Sequence, residues 1–207
     1  MLLHGLWDTP RVFRRLQQQL LARCPQLELE TPHLPHRLGA TSIRSLASDL
    51  AVQIESRFGS TGNVDLLGFS MGGLIGRTWL QEHGGHRRTR RFICLGSPQR
   101  GTLAAQLVPR TLLPGIADMK IGSGLLRDLD RDAAVLQSLE CHSLFTPTDL
   151  TVVPGWRAVL PHGQRHTLPV LTHRQLITDP RALSRLADLL LAPAAAEGLS
   201  CLDSHQA

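Results

Sequence analysis

Gly68-Phe69-Ser70-Met71-Gly72, with Gly73 behind it, sets a serine in the pattern G-x-S-x-G. Five residues of this kind recur by chance, so the setting decides what they mean. The apolar run Val64-Asp65-Leu66-Leu67 ends just before the motif, and Met71, Leu74, Ile75, Trp79 and Leu80 follow it at helical spacing. Strand, sharp turn and helix is the setting that pushes a serine hydroxyl out above a sheet edge. Gly68 and Gly72 keep Cβ atoms out of that bend, and the helix N-terminus points amide donors toward developing negative charge. The chemistry is attack on a carbonyl with Ser70 as nucleophile. The plain alternative is a tight turn that happens to hold a serine.

A serine hydroxyl is a weak nucleophile until a base takes its proton, and the base needs an acid to orient it. On such a scaffold the acid follows a later strand and the histidine follows the last one. Asp149 fits the first place, just past Ser143-Leu144-Phe145 and within the apolar stretch that runs to Val153-Pro154. The lesser alternative is an aspartate that caps a turn. Asp118, Asp128, Asp130 and Asp132 read better as helix caps or solvated charge. Of ten histidines, His173 follows the apolar run Thr167-Leu168-Pro169-Val170 and precedes the final helical pattern. His166 and His162 are the weaker candidates.

An oxyanion intermediate needs two backbone donors. Met71 N–H, just after the nucleophile, is one. The second is expected at Leu6, in the turn His4-Gly5-Leu6 after the first apolar stub. Losing one such donor costs about 3–4 kcal/mol of transition-state stabilisation. The bland reading makes His4 an exposed terminal residue.

Metal chemistry fits poorly: the histidines lack H-E-x-x-H spacing and no carboxylates cluster around them, nor is there a G-x-x-x-x-G-K-[ST] phosphate loop. No cofactor is called for. Cysteines stand at 24, 94, 141 and 201 without a C-x-x-C pair; Cys94 and Cys141 fall in expected strands, as small buried hydrophobes.

The elements that would position these groups can be read from the pattern. Leu2-Leu3 is the tail of a strand. Asp8 or Thr9 caps a helix through Val12, Phe13, Leu16, Leu20 and Leu21 that stops at Cys24-Pro25. Leu27-Glu28-Leu29-Glu30 alternates like a strand. Ser42 opens a helix through Ile43, Leu46, Leu50, Ile54 and Phe58, closed by Gly59. Phe92-Ile93-Cys94-Leu95 is a further strand, and Pro180 opens a last helix carrying Leu183, Leu186, Leu189 and Leu190. Strands alternating with helices give an α/β chain with a mostly parallel sheet. Residues 101–137 break the rhythm and read as an insertion above the sheet. Nothing marks a second domain, so the expectation is one domain over 1–207, with low complexity confined to the Ala-rich tail at 194–196.

With 207 residues, 42% hydrophobic and 19% charged, the composition is that of a globular chain rather than a disordered or fibrous one. No run approaches the roughly 18 apolar residues of a spanning helix, and no amphipathic anchor stands out. No signal peptide is visible, so a start at Met1-Leu2-Leu3-His4 fits a cytoplasmic chain or one missing upstream sequence. The charge of +5 is modest, and Lys120 is the only lysine. The run Arg87-Arg88-Thr89-Arg90-Arg91 has no interleaved aromatic residue and reads as a solvated connection rather than a nucleic-acid site.

Three segments together, His4-Gly5-Leu6-Trp7-Asp8, Gly68 to Gly73, and Gly96-Ser97-Pro98-Gln99-Arg100-Gly101-Thr102, resemble bacterial esterases and lipases of the triacylglycerol-lipase branch of the α/β-hydrolases. In the third motif Gln99 stands where the family often has histidine. The resemblance implies an α/β-hydrolase fold with helices on both faces of the sheet, Ser70, Asp149 and His173 as a catalytic triad, and Leu6 and Met71 as oxyanion donors. It implies a serine hydrolase acting on a small-molecule or lipid ester through an acyl-enzyme. Acyl transfer, amide hydrolysis and an inactive binding module are the rival readings. Members usually carry more sequence before the His-Gly loop, so the chain is either a minimal version of the fold or one lacking its N-terminal strands. The insertion, 101–137, is then a lid or pocket wall, in which Leu103, Leu107, Leu112, Leu113 and Ile116 either line an acyl site or pack on the sheet.

Overall fold

The computed structural model describes residues 1–109 and 113–193; Leu112, Cys201 and the Ala-rich tail lie outside the described residues. Five strands, β1 (Leu2–Leu3), β2 (Leu66–Phe69), β3 (Arg91–Leu95), β4 (Glu140–Phe145) and β5 (Gln164–Thr167), form one sheet in the order β1-β2-β3-β4-β5. Every pairing is parallel. Helices α1 (Arg14–Arg23), α2 (Ile43–Phe58), α3 (Met71–Glu82), α4 (Leu103–Gln106), α5 (Pro114–Asp118), α6 (Gly124–Arg131) and α7 (Pro180–Leu191) surround it.

Side chains alternate across the strands, and both faces are apolar, as a parallel sheet covered on both sides requires. Leu3, Leu66, Phe92, Cys94 and Cys141 join α2, α3 and α6 in one core. Leu2, Leu67, Phe69, Ile93, Leu95 and Leu144 join α1 and α7 in the other. This is the α/β-hydrolase architecture expected from the motifs. Burial pushes the Cys94 thiol well up and the Cys141 thiol up to about 12.

Ser42 caps α2 by accepting from Ser45 N at 3.2 Å, and Gly59 closes it at φ 65°. Asp118 caps the same helix from afar, accepting from Ile43 N at 2.9 Å. Among the described residues no helix is long and apolar enough to cross a membrane.

Three expectations need correction. Residues 27–30 form no strand: Leu2 N donates to Glu30 O at 2.8 Å, but no ladder continues, while Leu27 and Leu29 still pack on the α1–α7 core. Prolines at 25 and 32 bracket the segment and remove backbone donors. The last strand is Gln164–Thr167 rather than 167–170. It is an edge strand and therefore polar, while Pro169, lacking an N–H, cannot extend it. The arginine run is not wholly solvated either. Arg91 is fully buried, where it grips Glu140 at 2.7 Å and donates to carbonyls at the C-terminal end of α7, including Leu189 O and Ala192 O.

Candidate active site

In a parallel sheet whose strands follow one another in sequence, every loop after a strand emerges at the same edge. All five residues expected to act lie on such loops or beside them. Ser70 sits between the last residue of β2 and the first of α3, at φ 53° and ψ −126°. A non-glycine residue pays about 1–3 kcal/mol for such a conformation, which persists only where the surroundings enforce it. Ser70 N donates to Leu95 O at 2.9 Å, fixing the bend against β3. A Cβ on Gly72 would lie 2.1 Å from Leu3 O, and one on Gly68 2.4 Å from Gly73 Cα. The motif glycines are thus required by close approach of backbone.

Asp149 follows β4 and is buried. Its Oδ1 accepts from Thr151 N at 2.8 Å and Val152 N at 3.0 Å, and its Oδ2 meets His173 Nδ1 at 2.7 Å. The two readings of this aspartate turn out to be compatible: one oxygen caps the turn and the other holds the imidazole. His173 follows β5, stacked on Phe69 with ring centroids 4.9 Å apart. Its other nitrogen, Nε2, is buried and has no hydrogen-bond partner. A neutral imidazole donating from Nδ1 to the carboxylate leaves Nε2 with a lone pair able to take a proton. His166 lies elsewhere, in β5, against His142 at 3.0 Å and apart from this arrangement.

After β1 the chain turns, Asp8 N donating to Gly5 O at 3.3 Å, with Trp7 at φ 63°. A Cβ on Gly5 would stand 2.8 Å from Ser70 Cβ, so only glycine lets this turn lie against the serine. His4 is not an exposed terminal residue: it is fully buried, with Nε2 accepting from Leu34 N at 3.1 Å. Nδ1 then carries the proton, toward Gly5 O at 3.0 Å, and burial pushes the imidazole below the usual histidine range. Met71 opens α3, where first-turn amides have no acceptor within the helix.

Ser70, His173, Leu6 and Trp7 line one cavity of about 270 Å³. The insertion contributes Ala104, Ala105, Val108, Ile116 and Met119 to its wall and the loop after β4 contributes Val152, so the lining is mostly apolar. Of the five insertion residues expected there, Ile116 lines the cavity, Leu113 packs half-buried on the core, and Leu103 and Leu107 point to solvent. Among the described residues no group of three or more His, Cys, Asp or Glu side chains is arranged to hold a metal ion.

Sequence reasoning missed three contributors. Asp8 pairs with Arg174 at 2.7 Å, linking residues far apart in the chain, for which no local signal exists. Phe69 was visible only as the variable residue of the motif. Gly96, at φ 53°, would carry a Cβ only 3.1 Å from His173 Cε1; the motif that contains it was legible, its role was not. Gln99 is buried and donates to Ser97 Oγ at 2.9 Å, a structural part rather than a reacting one.

The family described as palmitoyl protein thioesterase matches residues 1–142, a stretch that holds the turn after β1 and the Ser70 bend and ends before Asp149 and His173. No curated protein matches the sequence. Lipase B of Aspergillus fumigatus superposes with a TM-score of 0.73 at 17% identity, over 93% of this chain and 52% of its own. The mature form of lipase BlEst2 of Bacillus licheniformis gives 0.69 at 16%, over 92% and 89%. Phospholipase PlaB of Legionella pneumophila gives 0.72 at 12%, over 96% and 59%. The chain thus spans about half the length of the Aspergillus lipase, and at these identities the likeness is one of fold. The resemblance drawn from the sequence holds at the level of α/β-hydrolases of the esterase and lipase kind; the triacylglycerol-lipase branch is not singled out.

Proposed function

Because the chain belongs to the palmitoyl protein thioesterase family, we propose that it is a serine hydrolase cleaving acyl esters, thioesters included, through an acyl-enzyme on Ser70. His173 is the base, Asp149 orients it, and the N–H groups of Leu6 and Met71 receive the oxyanion. The observation that carries this reading is the state of His173. Asp149 binds its Nδ1, while its Nε2 is buried, unpartnered, and on the wall of the cavity that also contains Ser70.

The steps follow from that arrangement. Ser70 Oγ attacks the acyl carbonyl as His173 Nε2 takes its proton, and Asp149 stabilises the imidazolium. The carbonyl oxygen gains charge beside the two amides and the N-terminus of α3. The C–O or C–S bond then breaks, the imidazolium giving its proton to the departing alcohol or thiolate, and water repeats the cycle on the acyl-serine. The apolar wall supplied by Ala104, Ala105, Val108, Ile116 and Met119 is the acyl site, which makes the insertion a pocket wall.

The test is labelling with a fluorophosphonate, mapped to its peptide, in the parent, Ser70→Ala and His173→Ala. Expected is label on Ser70, absent in S70A and formed at least about 100-fold more slowly in H173A. Folded parent protein that takes no label would overturn the reading. Paired assays on an acyl thioester and its oxygen ester then rank the leaving groups.

A further inference from the structure

Of the nine large apolar side chains exposed among the described residues, all but Leu21 and Val52 lie on the segments that gather at the C-terminal edge of the sheet. Trp7 follows β1, Leu107 follows β3, Leu150 follows β4 and Leu171 follows β5, exposed by 69%, 89%, 85% and 69%. They surround the site: Trp7 lines the cavity with Ser70, and Leu150 and Leu171 share a shallow cleft with His173. Leu38 joins them on a segment bound to the turn after β1 through Leu34 N to His4 and His36 Nε2 to Asp8 O. Exposed apolar side chains gathered in this way mark a contact surface.

Basic side chains outnumber acidic ones on the same edge. Residues 4–13, 31–42, 96–109, 113–123, 146–158 and 168–174 contain three acids, Asp8, Asp118 and Asp149. Arg174 binds the first, Ile43 N the second, and His173 with two amides the third. Arg11, Arg37 and Arg100 are exposed on these segments, and Arg157 lies over the exposed Trp156 ring at 5.1 Å. Long arginine stems beside apolar groups keep their heads at the level of an anionic surface while the apolar groups sink below it.

We infer that this edge docks on an anionic lipid bilayer, its leucines and tryptophans entering the acyl layer and its arginines meeting headgroup phosphates. The apolar side chains stand singly on separate loops around an open cavity. A fluid acyl phase accepts such spacing, whereas a protein partner needs a matching relief. No amphipathic helix is involved, so the surface has no counterpart in the local sequence pattern. The inference concerns binding, and stands apart from the catalytic assignment.

The experiment uses the Ser70→Ala protein, so that turnover cannot alter the lipid, with vesicles of phosphatidylcholine alone or with one third phosphatidylglycerol. Expected is co-flotation with the anionic vesicles, about tenfold or more above the neutral ones, with a blue shift of tryptophan emission from Trp7 and Trp156. In the same background, Leu38→Ser with Leu107→Ser lowers the partition coefficient by roughly 30-fold or more. The double change placed in the parent leaves the rate of fluorophosphonate labelling unaltered, which keeps a fault in binding distinct from a fault in the catalytic reading. Absence of flotation with anionic vesicles overturns the inference. So does binding that the double change leaves intact, or lipid-free dimerisation abolished by it, which would assign the edge to a second copy of the chain.

Discussion

Arg174 Nη1 donates to Asp8 Oδ1 at 2.7 Å, and this contact ties the turn after β1 to the loop that carries His173. The two segments are the first and last parts of the site in the chain. On the proposed assignment one presents the Leu6 amide as oxyanion donor and the other the imidazole as base, so the ion pair holds the two in a common frame. Exposed ion pairs contribute only about 0–1 kcal/mol to stability, and Arg174 is 60% exposed. The contact therefore matters for alignment. Asp8→Asn is expected to lower kcat about 3- to 10-fold with KM little changed and the melting temperature nearly constant. Arg174→Gln should do the same, and the double variant should add little to either. Steady-state kinetics on the three variants checks this.

Asp149→Asn keeps an oxygen for the amides of Thr151 and Val152 while removing the charge that faces His173. An amide in that place admits the wrong imidazole tautomer. The expected outcome is loss of kcat by about 10³- to 10⁴-fold in a protein that melts close to the parent. Turnover of a soluble ester, with circular dichroism to monitor folding, separates the two effects.

Gly96→Ala places a Cβ at φ 53°, within 2.5 Å of Leu176 Cδ1 and 3.1 Å of His173 Cε1. Backbone strain and displacement of the imidazole act together here. We expect a loss of about 1–3 kcal/mol in unfolding free energy and a fall in kcat, read from urea denaturation and from activity.

His4 and His166 are both held below the ordinary histidine value, chiefly by burial. A depressed folded value means that the unfolded chain binds more protons as pH falls through the ordinary value of 6.5. Stability contributed by the neutral rings is full above that point and declines below it, chiefly through the buried His4, since water screens the partly exposed His166. Burial raises the Asp118 carboxyl, which acts in the opposite sense, in the range of carboxylate titration. Urea midpoints at pH 7.5 and 5.5 should therefore differ, the acid value being lower, and His166→Gln should narrow the gap.

The sequence made legible what local rules govern. Ser70, Asp149 and His173 stand out by their places after strands, and the structure brings Asp149 and His173 into contact and lines one cavity with Ser70 and His173. Helices α2 and α7 were bounded by Ser42, Gly59 and Pro180 because caps and breakers act over a few residues. What escaped notice was set by distant partners. The alternation of Leu27 and Leu29 reads the same with or without a neighbouring strand, and Arg91 looks like its solvated neighbours until α7 brings carbonyls to it. The polar strand Gln164–Thr167 carries no apolar signal because one of its edges and much of its surface face water.

The strand order of the sheet repeats the order of the chain, which gives the molecule a direction in time. A chain made from its N-terminus can lay each strand on the one before. The bend that holds Ser70 is complete once β3 is in place, since Leu95 O anchors it. His173 comes only after β5, and α7 must then fold back on α1, joined by Arg23 and Asp188 at 2.7 Å. On the assignment proposed above, the hydroxyl is built early and its base arrives late. On that assignment a nascent chain is chemically silent until β5 and the loop carrying His173 have been laid down.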